Sequence, residues 1–347
     1  MTEFMIAARL HKINQELSID RISVPTVSSG EVLVRVRAAG LCHSDINYLE
    51  GVGKVARLPI TLGHEIAGTI ARKGANVRGL GAGEPVLVHY VISCGRCRFC
   101  RTQRENHCIH YRMIGKDVDG GFAEYVKVPA RSIVKLLESI LLTQAAIVGC
   151  AVSTAYHALR RARVKPGEEV AIFGVGGLGM HAVQLAKKIF KARTVIAVDV
   201  QDWKLRRARH VGAKVTVNAA NQDPEEAIRR ITEGKFVDVA LDFVGRSSSM
   251  KKAIASVGKF GRVVIVGISR EDLQLSPYRT LIAKEMELIG VDDHLKGELA
   301  QLLQFICARK LNLSQSVTHT IPLEKVNDGF RILRSGEGNP IRIVVVN

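Results

Sequence analysis

A glycine-rich turn between a short apolar strand and a helix constrains this chain more than any other feature. Gly174, Gly176 and Gly179 have the spacing G-x-G-x-x-G and follow the apolar run 170–173, and Asp199 ends the next apolar run, 20 residues after Gly179. Such glycines permit a tight turn, the approach of backbone amides to a pyrophosphate, and close packing of a helix on a strand. The pattern therefore predicts a dinucleotide-binding βαβ unit.

The acidic residue after the second strand bears on which dinucleotide binds. Asp199 would accept hydrogen bonds from the adenosine ribose hydroxyls, and its charge would repel a 2′-phosphate. The sequence therefore favours NAD over NADP. Lys204 follows five residues later and could contact the same ribose, but a solvated lysine on a basic helix is an equally good interpretation.

The pattern of apolar runs divides the chain into a β-rich part and an alternating part. Short runs such as 32–38 and 85–91, separated by Gly and Pro, predict a barrel or sandwich-like domain over the first 150 residues. Strands then alternate with helices, which is typical of a doubly wound parallel sheet. The expected strands are 170–173, 194–198, 214–217, 237–242 and 262–267, and the expected helices are 203–211, 224–232 and 248–257. The last fifty residues add a helix at 297–309, the segment 323–333 and a closing strand at 341–346.

Four cysteines lie within fifteen residues, at positions 94, 97, 100 and 108. Cys94, Cys97, Cys100 and Cys108 could supply four thiolates from one loop, enough to close a tetrahedral Zn²⁺ site with a structural role. An iron–sulfur centre is the alternative, because ferredoxin-type chains share the C-x₂-C-x₂-C spacing. Clustering of this kind indicates a metal in a reducing compartment and no disulfide framework.

The remaining candidate ligands are dispersed. Cys42, His64 and Cys150 together would leave a fourth position open for water or substrate, as in a catalytic zinc site. Cys307, inside an apolar helix pattern, is interpreted as a packing residue.

Composition limits the partners. The 347 residues carry a formal net charge of +17, which raises the alternative of a zinc-ribbon protein that binds nucleic acid. The basic residues are scattered along the sequence and aromatic residues make up only 5%, so we expect no nucleic-acid partner. No apolar stretch approaches the roughly 20 residues that span a bilayer, and the first residues lack a signal-peptide pattern, so a cytoplasmic protein without a membrane partner is expected.

With these motifs in this order, the chain resembles the zinc-dependent medium-chain alcohol dehydrogenases over essentially its whole length. The motifs are Gly63-His64-Glu65, Cys42-His43-Ser44-Asp45, the four-cysteine lobe, the glycine-rich turn with Asp199, and Cys150. The resemblance implies a β-rich GroES-like catalytic domain at residues 1–151 and 293–347, with a structural zinc lobe at 93–109. It also implies a Rossmann NAD-binding domain at residues 152–292.

The resemblance also implies residue roles. Cys42, His64 and Cys150 would be catalytic zinc ligands, with Glu65 able to approach or transiently bind the metal. Asp45 would orient the zinc histidine, and Ser44 would pass the substrate proton. Tyr90 falls where the family places an aromatic residue of the substrate pocket. The implied cofactor-binding residues are His43, Gly174, Gly176, Gly177, Leu178, Gly179, Asp199, Lys204, Val266 and, near the pyrophosphate, Arg342.

The implied function is reversible oxidation of primary or secondary alcohols to aldehydes or ketones, by hydride transfer from a zinc-bound alkoxide to NAD. Two zinc ions per subunit and a homotetramer or homodimer are expected. Asn47 replaces the histidine that ends the proton relay in horse-liver-type members, so water or His43 would carry the proton. A polyol or threonine dehydrogenase is the nearby alternative. The polyol branch commonly has a glutamate where Cys150 stands, and zinc-free quinone reductases lack both ligand sets.

Overall fold

The computed structural model describes residues 3–137, 139–268 and 270–347, which form two compact units. One unit runs to Ser153 and resumes from His294 to Asn347, and the other spans Thr154–Asp293. Within the described residues, no helix is both long and apolar enough to cross a membrane.

The first unit is built mainly from short strands. In chain order its elements are β1 Phe4–Leu10, β2 Ser18–Ser23, β3 Glu31–Gly40, α1 His43–Leu49, β4 Ile60–Thr61, β5 Glu65–Lys73, β6 Pro85–Val88, β7 Val91–Ile92, α2 Arg98–Arg101, β8 Arg112–Met113, β9 Tyr125–Pro129, β10 Ile133–Lys135 and α3 Leu142–Ile147. Short 3₁₀ turns lie at Glu105–His107 and Ala130–Ser132, and a π-helical turn, Val148–Val152, follows α3. The run predicted at 85–91 divides into β6 and β7.

The second unit is an alternating α/β structure entered through α4, Ser153–Arg161. Its elements are β11 Glu169–Phe173, α5 Gly179–Lys188, β12 Thr194–Asp199, α6 Asp202–Val211, β13 Val215–Asn218, α7 Pro224–Ile231, β14 Val237–Asp242, α8 Ser247–Ala255, β15 Val257–Ile265, a π-helical turn Tyr278–Ile282 and β16 Glu287–Gly290. These six strands form one parallel sheet of order β13-β12-β11-β14-β15-β16. The sheet confirms the predicted doubly wound architecture, and the strand order reverses at β11, where ligands bind in such folds.

The apolar residues of the central strands explain why this sheet lies in the interior of the unit. β12 is buried from Thr194 to Val198, and four of the five β11 residues are buried. Continuous apolar strands of this kind are typical of a parallel sheet covered by helices on both faces. The strand predicted at 262–267 begins earlier than the sequence indicates, because β15 starts at Val257.

The C-terminal segment returns to the first unit through α9 Lys296–Cys307, β17 Val317–Pro322, a 3₁₀ turn Leu323–Lys325, α10 Val326–Ser335 and β18 Arg342–Val346. β18 pairs antiparallel with β3 and parallel with β17, which gives the main sheet the order β10-β6-β5-β3-β18-β17, with β9 also on β3. This pairing places the first residue of β18, Arg342, beside the ends of β3 and β5.

One packing prediction is wrong. Cys307 was expected to pack in the core, but it is the last residue of α9 and is exposed. The buried stripe of that helix contains Leu299, Leu302 and Leu303, and a residue four positions beyond Leu303 falls where the helix ends. Helical spacing alone does not show where the covering layer stops.

Candidate active site

Four buried side chains in the first unit converge on one point. Cys42, His64, Glu65 and Cys150 each offer a ligand atom, and these atoms all lie within 4.8 Å of one another. Cys42 immediately precedes α1, His64 lies in the turn before β5, Glu65 begins β5, and Cys150 lies in the π-helical turn after α3. The first and last of these residues are far apart in sequence, so only tertiary packing assembles the set.

The turn before β5 requires glycine. Gly63 has φ +90°, a conformation that L side chains rarely adopt, and a Cβ there would lie 2.8 Å from the ring of Phe122. Glycine lets the chain pass beneath this buried ring and directs the next side chain, His64, toward Cys42.

Asp45 ties the two ligand segments together. Its side chain is fully buried, one carboxylate oxygen accepts the Cys42 amide at 3.0 Å, and the other accepts the Gly63 amide at 3.3 Å. The second oxygen also lies 3.3 Å from Nδ1 of His64. A carboxylate on one ring nitrogen fixes the orientation of the imidazole and leaves Nε2 to bind a metal.

The charges at this centre are strongly coupled. Burial raises the pKa of the Glu65 carboxyl to about 7, against the opposing effect of Arg342. Arg342 is itself buried and forms an ion pair with Glu65. A hydrogen bond with Cys150 holds the pKa of the Cys42 thiol well below its ordinary value, while the same bond raises that of Cys150. A buried thiolate next to an imidazole is a donor set that zinc prefers.

Aromatic rings border the metal-ligand cluster on one side. The Tyr90 ring meets His64 edge-on at 5.1 Å between centroids, and it meets His294 at 5.0 Å. His294 also meets His89 at 5.0 Å, and all four rings are buried. Burial lowers the pKa of His89 to about 3, so its imidazole is neutral near neutral pH. The sequence prediction included Tyr90 but missed His89 and His294, which belong to no motif.

The remaining residues of the expected proton path lie on or beside α1. The Ser44 hydroxyl oxygen is 3.7 Å from the Cys42 sulfur, and His43 is exposed. The carbonyl of Asn47 accepts the amides of Val52 and Gly53.

The four-cysteine lobe has the geometry of a single-ion site. The sulfur atoms of Cys97 and Cys100 are 3.5 Å apart, and those of Cys94–Cys100 and Cys97–Cys108 are 3.9 Å apart. A tetrahedron with Zn–S bonds of about 2.3 Å has edges of roughly 3.8 Å, which these separations match. In an iron–sulfur cluster the four cysteines are shared between two or more irons, so the four sulfurs are spread more widely than around a single ion. Hydrogen bonding from backbone amides lowers the pKa of the Cys97 thiol to about 6, which favours the thiolate.

The glycine-rich turn joins β11 to α5 in the second unit. Gly174 has φ +81°, and a Cβ on Gly179 would lie 1.9 Å from the Gly174 carbonyl oxygen, whereas a Cβ on Gly176 would meet nothing within 4 Å. These are the close-packing and open positions that a pyrophosphate-binding turn needs. Leu178 directly precedes α5, and the carbonyl of Gly177 accepts a hydrogen bond from Nδ1 of His181 at 2.6 Å.

Asp199 stands beside this turn. Its carboxylate accepts the amide of Val175 at 2.9 Å, and its other oxygen accepts the amides of Val200 and Gln201. Lys204 contacts the ring of Trp203, with its Nζ 5.5 Å from the ring centroid. Directly after β15, the Val266 amide donates to the carbonyl of Asp242 at the end of β14. The turn, the acidic residue and the two ligand clusters are together typical of a metal-dependent, dinucleotide-linked oxidoreductase.

Comparison with known proteins agrees with this class. Residues 28–138 match the alcohol dehydrogenase GroES-like domain, and residues 177–308 match the zinc-binding dehydrogenase domain. The chain is 35% identical over 337 residues to the NAD-dependent alcohol dehydrogenase of Sulfurisphaera tokodaii, covering 94% of this chain and 95% of the relative. It is 31% identical over 351 residues to the sorbitol dehydrogenase of Bacillus subtilis, covering 98% and 97%. The alcohol dehydrogenase structure from Aeropyrum pernix superposes with a TM-score of 0.91 at 36% identity, covering 99% of this chain and all of that one. The chain belongs to the zinc-dependent medium-chain alcohol dehydrogenase family.

Proposed function

We propose that this protein is a zinc-dependent, NAD-linked alcohol dehydrogenase that interconverts primary or secondary alcohols with aldehydes or ketones. The observation that carries this proposal is the buried convergence of Cys42, His64 and Cys150, with Glu65 held back by Arg342. Two thiols and one imidazole leave an open coordination position, which distinguishes a catalytic zinc from the closed four-cysteine site. The full-length similarity to NAD-dependent alcohol dehydrogenases supports the same reaction.

Each unit has a proposed part in the reaction. Residues 1–151 and 293–347 form the catalytic domain, with the structural zinc lobe at 93–109, and residues 152–292 form the cofactor domain. Cys42, His64 and Cys150 would hold a zinc ion that supplies Lewis-acid polarisation of the substrate oxygen, and the cofactor domain would hold NAD as the hydride acceptor. The turn from Gly174 to Gly179 holds the pyrophosphate through its backbone amides, and Asp199 binds the adenosine ribose.

The side chains around the catalytic ligands orient those ligands and carry the substrate proton away. Asp45 fixes the His64 ring through Nδ1, and Glu65, whose charge is balanced by Arg342, can approach or transiently bind the metal without closing the open position. Ser44, beside the Cys42 sulfur, receives the substrate proton. Because an amide cannot act as a base, Asn47 does not continue the relay. The proton leaves through water or through the exposed His43.

The aromatic rings next to His64 mark the side of the metal-ligand cluster on which the substrate would bind. Tyr90 lines the substrate pocket in this proposal, and His294 packs edge-on against it. The predicted contact of Arg342 with the pyrophosphate stays a prediction, since its guanidinium pairs with Glu65. Contacts of Lys204, Leu178 and Val266 with the cofactor stay predictions as well.

A polyol or threonine dehydrogenase is the alternative on the same scaffold. Cys150 occupies the position where the polyol branch commonly has glutamate, which favours a simple alcohol. Rates of NADH formation with primary, secondary, aromatic and polyol substrates separate the two. A sorbitol or threonine rate well above every simple alcohol would replace the proposed substrate class.

A homo-oligomer, either a tetramer or a dimer, is part of the proposal. β16 is an edge strand, and apolar side chains near that edge of the sheet are exposed, among them Phe260, Ile268, Tyr278, Ile282 and Leu288. Exposed apolar groups of this number mark a surface that another chain covers. The grouping of cysteines into two candidate metal-ligand sets supports a reducing, cytoplasmic location. Light scattering coupled to gel filtration measures the mass, and a monomeric mass would contradict the oligomer.

Metal analysis with cysteine variants tests the proposed function. The protein should hold about two zinc ions per chain, one for each ligand set. Cys42→Ser should lose about one zinc and its turnover while still binding NAD. Cys307→Ser is the matched control, because Cys307 is exposed and belongs to neither ligand group, so it should keep both zinc ions and full activity. Normal turnover by Cys42→Ser would refute the assignment.

A further inference from the structure

The four-cysteine lobe carries an unbalanced positive surface that the dehydrogenase reaction does not use. Six exposed arginines make up what we call the arginine face: Arg96, Arg98, Arg101, Arg104, Arg112 and Arg131. Their positions run from residue 96 to residue 131, so the sequence alone suggested scattered charge. Folding gathers them around the metal-ligand cysteines.

Contacts between the segments join several parts of the face. Nε of Arg101 donates to the carbonyl of Arg96 at 2.7 Å. A guanidinium nitrogen of Arg131 lies 3.6 Å from the Cβ position of Gly95, and the Lys296 ammonium donates to the Arg131 carbonyl. Four of the arginines lie within nine residues of one another, in a loop that the four sulfurs hold compact. The lysine adds a seventh cation at the border of the face.

The face has almost no balancing acid. Among the described residues, no ion pair joins any of these six arginines to a carboxylate, whereas arginines elsewhere pair, as Arg57 does with Asp119 and Arg193 with Glu169. The one acidic side chain of the lobe, Glu105, accepts the backbone amide of Lys296 at 2.7 Å. Four thiolates holding Zn²⁺ would add a formal charge of −2 beneath the surface, which does not cancel seven cations.

A stacked pair of flat groups lies within this charged surface. The guanidinium of Arg98 lies over the Phe99 ring, 4.6 Å from its centroid, and the His107 ring is 6.3 Å from the Phe99 ring. Arg98 and His107 are exposed, and Phe99 is half-buried. Unpaired bases stack on aromatic rings and on guanidinium planes, and arginine binds phosphate through two parallel hydrogen bonds.

We propose that the arginine face of the lobe binds single-stranded nucleic acid. Its arginines contact successive phosphates, and the exposed Arg98 guanidinium, which is stacked on Phe99, provides with His107 a platform for one or two bases. An acidic protein or an anionic membrane would meet the charge but would make no use of the platform. The proposal accounts for part of the +17 net charge, and it is independent of the alcohol dehydrogenase assignment.

Fluorescence anisotropy of the zinc-loaded full chain tests this with labelled single-stranded RNA and DNA of about 12 nucleotides. Non-specific nucleic-acid binding falls in the micromolar range, and on single strands the logarithm of affinity falls with the logarithm of salt by about 0.7 per phosphate contacted. We expect a Kd below about 10 µM at about 50 mM salt and a slope of about −4. Parallel titrations with RNA and with DNA show which nucleic acid is preferred, and binding of either one supports the proposal.

Variants test whether binding depends on the position of the arginines or only on the total charge of the protein. The triple variant Arg98→Gln, Arg101→Gln, Arg104→Gln should bind at least about ten-fold more weakly, with a slope smaller by about 2. The control triple Arg35→Gln, Arg78→Gln, Arg229→Gln removes the same charge from exposed arginines elsewhere and should change affinity by less than about two-fold. Arg98→Lys keeps the charge and removes the planar group, so it should weaken binding at an unchanged slope.

Several results would overturn the proposal. These are no binding by the unmodified protein, an equal loss in both triple variants, or no effect of Arg98→Lys. Equal or tighter binding of polyglutamate, of phosphatidylserine vesicles or of a duplex with the same sequence would also overturn it, because none of them offers unpaired bases. Zinc content and alcohol oxidation measured on the same samples verify that the lobe remains folded. Neither readout is expected to change in any of these variants.

Discussion

The Asp45 carboxylate lies 3.3 Å from Nδ1 of His64 and also accepts the amides of Cys42 and Gly63. One buried acid therefore positions two proposed metal ligands from segments that lie about twenty residues apart. Removing its charge should act on the metal, since the ligands themselves stay in place.

Asp45→Asn should lower zinc affinity at the catalytic site by about ten- to hundred-fold, because the amide cannot hold the imidazole tautomer in the same way. Competition with a chromophoric chelator measures this loss, and the four-cysteine zinc provides an internal control. Equal loss of both zinc ions would indicate general unfolding, and an unchanged catalytic-site affinity would contradict the role of Asp45.

Two glycines of the dinucleotide turn should respond differently to alanine. A Cβ on Gly179 would lie 1.9 Å from the Gly174 carbonyl oxygen, so Gly179→Ala should destabilise the second unit by about 1–3 kcal/mol through backbone displacement. A Cβ on Gly176 meets nothing, so Gly176→Ala should leave stability near that of the parent protein. Urea denaturation measures both effects.

Gly176→Ala should nevertheless weaken NAD binding, because its Cβ occupies the space that lets amides approach the pyrophosphate. Isothermal titration with NAD checks this. Unchanged NAD affinity in the folded Gly176→Ala protein would show that the pyrophosphate does not bind at this turn.

Asp199→Gly should reduce the preference for NAD over NADP. The variant loses the carboxylate that would accept the ribose hydroxyls, a charged hydrogen bond worth about 1.5–3 kcal/mol, which corresponds to roughly ten- to hundred-fold in affinity. The ratio of kcat/KM for the two cofactors is the measurement. In the parent structure the same carboxylate also accepts the Val175 amide, so the stability of the variant should be measured as well.

Asp223 should contribute a pH-dependent stabilisation to the second unit. It caps α7 by accepting the amides of Glu225 and Glu226, and its ion pair with Lys252 holds the pKa of its carboxyl below the usual value. Because the folded-state pKa is the lower one, this stabilisation is complete above the unfolded value of about 4 and is lost as the pH falls below it. Asp223→Ala should cost about 1 kcal/mol at neutral pH.

Asp223→Asn separates the two contributions. Asparagine caps helices as well as aspartate does, so this variant should keep the cap and lose the ion pair. Its stability, measured by urea denaturation at several pH values, should depend less on pH below about 5 than that of the parent protein. A pH profile identical to the parent would show that the ion pair with Lys252 contributes nothing.

The sequence determined those parts of the protein that depend on neighbouring residues. The glycine-rich turn follows from backbone conformations that only glycine adopts easily, and the four-cysteine lobe follows from ligands that one loop can bring to one ion. The alternation of apolar strands and helices likewise predicted the doubly wound sheet. Cys42 with Asp45, and Gly63 with His64, are also local pairings that a motif records.

Only the tertiary structure decided what distant segments do together. It brought Cys150 to Cys42, seated Arg342 on Glu65 through the pairing of β18 with β3, and placed His89 and His294 around Tyr90. It exposed Cys307 and gathered arginines that looked scattered into one face. The physical reason is that burial and charge pairing depend on the packing of whole elements, and the period of an element shows its faces without showing what covers them.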